Sequence, residues 1–126
     1  MSEKNNPPPP PAGLQARGHR FWRTVHETWL VDAGETELLV EVCRQLDVCE
    51  ALAAVVAREG VLSVGSTGAV RAHPAVAELR AARLALARLV AQLDLPDVTG
   101  STMPSAASTR ARKAARARWG RDAATA

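Results

Sequence analysis

DAGETELLVEVCRQLDVCEALAAVVAREG, residues 32–60, decides the fold of this chain. Asp32 followed three residues later by Glu35 has the spacing of a capping box, with Asp in the place of the usual Ser or Thr. Apolar side chains then recur at Leu38, Leu39, Val42, Cys43, Leu46, Cys49, Leu52, Val55 and Val56, a period near 3.6 that makes one continuous face. Glu37, Glu41, Arg44, Gln45, Asp47, Glu50 and Arg58 fall on the other face, and Gly60 is a natural stop. At ~1.5 Å per residue the predicted helix is on the order of 40 Å long. An apolar stripe of that length needs more than one partner helix, from the same chain or from other copies.

Working outward, Gly18 opens a shorter helix in which Phe21, Trp22, Val25, Trp29 and Leu30 fall at helical spacings. Large aromatics dominate burial, so Phe21, Trp22 and Trp29 are expected in helix–helix packing rather than as a stacking platform for nucleic acid. Arg17, His19, Arg20 and Arg23 cluster at the start of this helix, where they either contact phosphate or sit in solvent. Val31 to Gly34 turns the chain into the long helix, giving an antiparallel helical hairpin. Beyond Gly60, Val61–Val64 and Ala69–Ala72 flank Gly65-Ser66-Thr67-Gly68 and read as a short β-hairpin or flap. No Gly-Lys-Ser/Thr follows that glycine loop, so it is not a phosphate-binding P-loop. His73-Pro74 opens a third helix, with Pro74 suited to the first helical position. Val76, Leu79, Leu84, Leu86, Leu89, Val90 and Leu93 supply its apolar side, Arg80, Arg83 and Arg88 its polar one, and Pro96 closes it. The expected fold class is mainly α: a helical hairpin plus a third helix with a short β-flap. Its expected core is Phe21, Trp22, Trp29, Leu38, Leu39, Val42, Leu46, Leu52, Leu79, Leu86 and Leu89.

The ends differ from this body. Residues 1–13 contain Pro7–Pro11, which forms neither helix nor sheet and is expected as a disordered or polyproline leader. The helical core then spans residues 14–96, a Ser/Thr/Pro-rich linker residues 97–108, and a basic tail residues 109–126. Residues 1–109 carry ten Lys/Arg and twelve Asp/Glu, a balance of −2, whereas residues 110–126 carry six and one, a balance of +5; together these give the net +3 of the chain. Such asymmetry is typical of an appended binding arm. If helical, the tail presents Arg112, Arg116 and Lys113 on one broad side, flanked by Arg110, Arg118 and Arg121, with Trp119 free to stack or anchor. A polyanion is the favoured partner, through salt-dependent neutralisation of phosphates; a solvated tail and an acidic protein surface are the alternatives.

Size and composition set further limits. The 126 residues allow one domain, with about 80 of them in the ordered body, a size at which a single core is marginal. Hydrophobic residues make up 47% but aromatics only 3%, so the core buries little area per residue and oligomerisation is the expected remedy. No run is long and apolar enough for a membrane span, and the N-terminus has no signal-peptide pattern, so a cytoplasmic protein is expected. Catalytic chemistry has little support. Cys43 and Cys49 lie ~9 Å apart along one helix on different sides, which rules out a mutual disulfide. His19, His26 and His73 lack metal-ligand spacing, and no nucleophile–base arrangement is evident. No enzyme activity, metal or cofactor is expected.

Several of these motifs together resemble one group of tailed-phage terminase small subunits. Gly18-His19-Arg20-Phe21-Trp22 opening a helix, then Glu37-Leu38-Leu39, Cys43 and Asp47 along the long one, follow that pattern. So do the glycine at its end, the flap, and His73-Pro74-Ala75 before a helix closing in Leu-Asp-Leu-Pro. The likeness covers about residues 13–96, and the Ser-Thr-Arg-Ala-Arg start of the tail is similar too. It implies a non-enzymatic, ring-forming homo-oligomer in the host cytoplasm. Such a protein binds viral double-stranded DNA, recruits the large terminase subunit with its ATPase and nuclease, and regulates genome packaging. Candidate DNA contacts are then the tail residues together with Arg17, Arg20 and Arg23. The alternative is a small helical DNA-binding or regulatory protein with a basic arm and no packaging role; a pure protein–protein adaptor is a third.

Overall fold

A computed structural model describes residues 7–95. It is mainly α, in the order α1 (Ala16–Thr28), α2 (Ala33–Glu59), β1 (Leu62–Val64), β2 (Val70–Ala72) and α3 (Pro74–Leu93). The basic tail and the linker lie outside the described residues, as do residues 1–6.

The long helix begins as its sequence dictates. The Asp32 carboxylate accepts from the Glu35 N–H at 2.8 Å while the Glu35 carboxylate accepts from the Asp32 N–H at 3.4 Å, a complete capping box. Gly34, expected in the turn, is already in the first turn of α2. Gly60 ends the helix with φ +84°, a conformation that costs a side-chain-bearing residue strain. α3 starts at Pro74 as expected, capped by the His73 ring, whose Nδ1 accepts from the Ala75 N–H at 3.0 Å. It ends one residue before Asp94, which adopts a left-handed conformation.

The apolar stripe of α2 serves two cores in succession. The first gathers Leu14, Trp22, Val25, Leu39, Val42, Cys43, Leu46 and Leu93, with Phe21, Trp29, Leu38, Leu86 and Leu89 half-buried around it. Here α1 and the C-terminal end of α3 both pack on α2. The second consists of Cys49, Leu79 and Ala82, with Leu52, Ala53, Val56 and Leu86 at its edge, and is made by α2 and α3 alone. Leu86 belongs to the margin of both and joins them. The molecule is therefore three helices thick at one end and two at the other. Gln45 reinforces the α2–α3 seam by donating from Nε2 to the Ala82 carbonyl at 3.1 Å.

The two-helix end carries the β-hairpin. β1 and β2 pair antiparallel with Leu62 opposite Ala72, Ser63 opposite Arg71 and Val64 opposite Val70. Gly68, at φ +83°, lets the turn close through hydrogen bonds from Gly65 to Ala69 and from Gly68 to Gly65. His73 N–H then donates to the Val61 carbonyl at 2.8 Å, tying the hairpin base to the start of α3.

Pro7–Pro11 form no helix or strand, as expected, but they do not trail freely into solvent. The indole Nε1–H of Trp22 donates to the Pro8 carbonyl at 2.9 Å, and Pro10 and Pro11 are half-buried. The reason is chemical: a buried indole N–H needs an acceptor, and this extended segment supplies one.

Candidate nucleic-acid and subunit interface

α1 begins two residues before the predicted Gly18, and a side chain from another helix explains why. Gln15, its N-cap, makes no side-chain cap. Instead Asp47 of α2 accepts from the Gly18 N–H through Oδ1 at 2.8 Å and from the Gln15 N–H through Oδ2 at 2.7 Å. One carboxylate thus satisfies the two amides that a capping box would satisfy locally, and places negative charge at the positive end of α1. The approach is close enough to require glycine. A Cβ at residue 18 would lie 2.5 Å from Asp47 Oδ2 and 2.7 Å from the Cys43 carbonyl oxygen.

This clamp orients the basic cluster. Arg17 pairs with Glu50 at 2.9 Å on the α2 side. His19, Arg20 and Arg23 are exposed, and among the described residues no carboxylate lies within ion-pairing distance of Arg20 or Arg23. Arg20 and Arg23 therefore stand on the exposed side of α1 with no ion-pair partner among the described residues. Arg80, Arg83 and Arg88 add exposed charge on α3, a second basic surface. The aromatics face inward: Trp22 is buried, Phe21 and Trp29 are half-buried, and the Trp22 and His26 rings lie 4.5 Å apart at 57°. Their faces belong to the core, which leaves them unsuited to stacking bases in this arrangement. Arg110, Arg112, Lys113, Arg116, Arg118, Trp119 and Arg121 lie outside the described residues.

Val61, Leu62, Val64 and Val70 of the hairpin, at the two-helix end, are exposed, Val64 to 71%, and so are Val48 on α2 and Leu84 and Val90 farther along α3. A two-stranded hairpin is marginal alone in water, and this one turns its branched side chains to solvent. Scattered exposed apolar residues need no explanation, but the four on the hairpin lie close together in sequence and pairing.

Cys43 and Glu59 have shifted acidity. Burial, with the Asp47 charge adding to it, pushes the Cys43 thiol up to about 11, so this cysteine stays protonated and unreactive. Hydrogen bonding from His73 holds the Glu59 carboxyl below its ordinary value, with Arg58 contributing. Because Nδ1 of His73 accepts from Ala75, Nε2 carries the ring proton and donates to Glu59 at 3.4 Å. Neither group stands beside a nucleophile–base pair. Among the described residues no three His, Cys, Asp or Glu side chains are grouped to hold a metal, and no helix is long and apolar enough to cross a membrane.

Compared with protein-family models, curated proteins and solved structures, the chain matches none.

Periodicity puts Asp47 on the face of α2 opposite the apolar stripe, and no pattern in the sequence marks Leu14. Only the pairing of helices reveals Asp47 as a cap. Leu14, an isolated apolar residue after Gly13, has no periodic neighbour to signal its burial.

Proposed function

We propose that this chain is a terminase small subunit of a tailed phage. It would be a non-catalytic homo-oligomer that binds viral double-stranded DNA and delivers it to the large terminase subunit for packaging. The observation that carries the reading is the exposed apolar surface of the hairpin, with Val48, Leu84 and Val90 exposed elsewhere on α2 and α3. Copies packed through that surface cover each other's stripes, and a closed ring leaves none exposed. The order of sequence motifs supports the same reading, because Gly18, Cys43 and Asp47 meet at one clamp that sets the angle of the basic helix. Each copy brings Arg20, Arg23 and a +5 tail, so assembly multiplies individually weak phosphate contacts.

Light scattering tests the assembly and DNA titration tests its use. The expected result is a large cyclic oligomer whose affinity for duplex DNA falls steeply with salt. Removing residues 109–126 is expected to weaken binding and flatten the salt slope while leaving the oligomer intact. Unchanged binding shifts the contact to Arg17, Arg20 and Arg23. A DNA-binding dimer instead favours a regulatory protein without a packaging role, and a stable monomer overturns the proposal.

A further inference from the structure

The β-hairpin is inside out. Its register puts Leu62, Val64, Val70 and Ala72 on one face and Ser63 and Arg71 on the other. All four residues of the apolar face are exposed, and of the two strands Ser63 alone is half-buried. An antiparallel sheet that completes its own chain's core turns its apolar face inward. This one points that face away from the body, where only another surface can cover it. The face is uncharged, but its surroundings are basic. Residues 60–83 contain Arg71, Arg80 and Arg83 against one carboxylate, Glu78. All three arginines are exposed, with no ion-pair partner among the described residues. The opposite sign gathers at the other end of α2. Residues 27–41 contain five carboxylates and no lysine or arginine. Asp32 and Glu35 build the capping box and Glu41 lies beside Arg44. Glu27 and Glu37 are exposed, with no cation in ion-pairing distance among the described residues. The 27 residues of α2 hold the two ends about 40 Å apart, so they cannot neutralise each other within one chain.

We propose that the hairpin face of one copy docks on the α1–α2 end of a second copy. The inference rests on the assembly proposed above and names its contact. The arginines around the hairpin meet the neighbour's Glu27 and Glu37, and the apolar face meets Leu30 and Val31, half-buried in the neighbour's α1–α2 connection. Hairpin against hairpin would bring arginine to arginine, and like charges across an interface oppose association. The contact is therefore heterologous. After two copies join, one hairpin and one acidic end remain open, and addition continues until a ring closes.

Two charge-reversed full-length chains test the contact. One carries Arg71→Glu, Arg80→Glu and Arg83→Glu; the other carries Glu27→Arg and Glu37→Arg. The wild type is expected to form a large oligomer in light scattering, and each variant alone to remain monomeric at the same concentration. Mixed, the variants are expected to form one-to-one pairs and nothing larger, because each keeps one intact surface. Both sets combined in one chain are expected to restore the large oligomer. Variants that assemble like the wild type, or a mixture that stays monomeric, overturn the contact while assembly itself stands. A monomeric wild type overturns the assembly reading and this inference together. If either variant loses its helical circular dichroism, copies carrying Val64→Cys are mixed with copies carrying Glu37→Cys and joined by a short bismaleimide, the buried Cys43 and Cys49 being left in place. A product linking position 64 of one copy to position 37 of another supports the contact. Links between two positions 64 alone, or no link, overturn it.

Discussion

Asp47 and Gly18 act as one unit, and each has a distinct consequence when changed. Asp47→Ala removes the acceptor for two amides and the favourable charge at the α1 N-terminus, for a loss of about 2 kcal/mol. Chemical denaturation should show that loss with little change in the m-value. Gly18→Ala improves helix propensity by about 1 kcal/mol in isolation. It is nevertheless expected to lower the melting temperature, because its Cβ meets the Cys43 backbone oxygen and the Asp47 carboxylate. A melting temperature raised by Gly18→Ala would show that α1 stands off from α2. Cys43 is predicted to resist alkylation by iodoacetamide at pH 8 in the folded chain and to react once the chain is denatured, since its thiol titrates near 11.

The hairpin base carries a contact that responds to acid, between His73 and Glu59. The Glu59 carboxyl lies below its ordinary value in the folded chain, so the folded state favours the ionised form. Its stabilisation is fully present above the unfolded value and is lost as pH falls through the lowered folded value. Glu59→Gln should therefore lower the melting temperature at neutral pH and converge with the wild type in strong acid, in melts run from pH 7 to 3. Divergence growing toward low pH would reverse the sign and discredit the His73–Glu59 contact. His73 contributes in two ways, capping α3 through Nδ1 and holding Glu59 through Nε2. Glutamine can make only part of that bridge, so His73→Gln is a further probe of the hairpin base.

Across the whole molecule the decisive feature is unequal thickness. Where α1 lies on α2, Leu39, Val42 and Cys43 are fully enclosed. Where α2 and α3 continue without it, their shared core is reduced to Cys49, Leu79 and Ala82, and Val61, Leu62, Val64 and Val70 of the hairpin are open to water. If copies assemble as proposed, Leu84→Glu combined with Val64→Glu is predicted to reduce the assembly to smaller species in light scattering while preserving helical circular dichroism. Both residues are exposed, so neither charge is forced into the core. An unchanged mass would place the subunit contact elsewhere. By the proposed role, the same double variant loses avidity for duplex DNA although its tail is intact.

The local features were legible because their causes are local. The capping box at Asp32, the glycine stop at Gly60, the β-hairpin and the proline at the start of α3 each arise from contacts within a few residues, and period alone marked the inward faces of Leu39, Val42 and Leu46. What only the tertiary structure decided are relations between segments far apart in the chain. Asp47 capping α1 across 29 residues, Pro8 meeting the Trp22 indole, and the division of one stripe between two cores have no periodicity to announce them. Periodicity says which side of a helix is apolar; it does not say how much of that side a neighbour covers. That depends on where α1 stops against α2, and so the uncovered surface on which assembly is proposed emerges only when the helices are packed together.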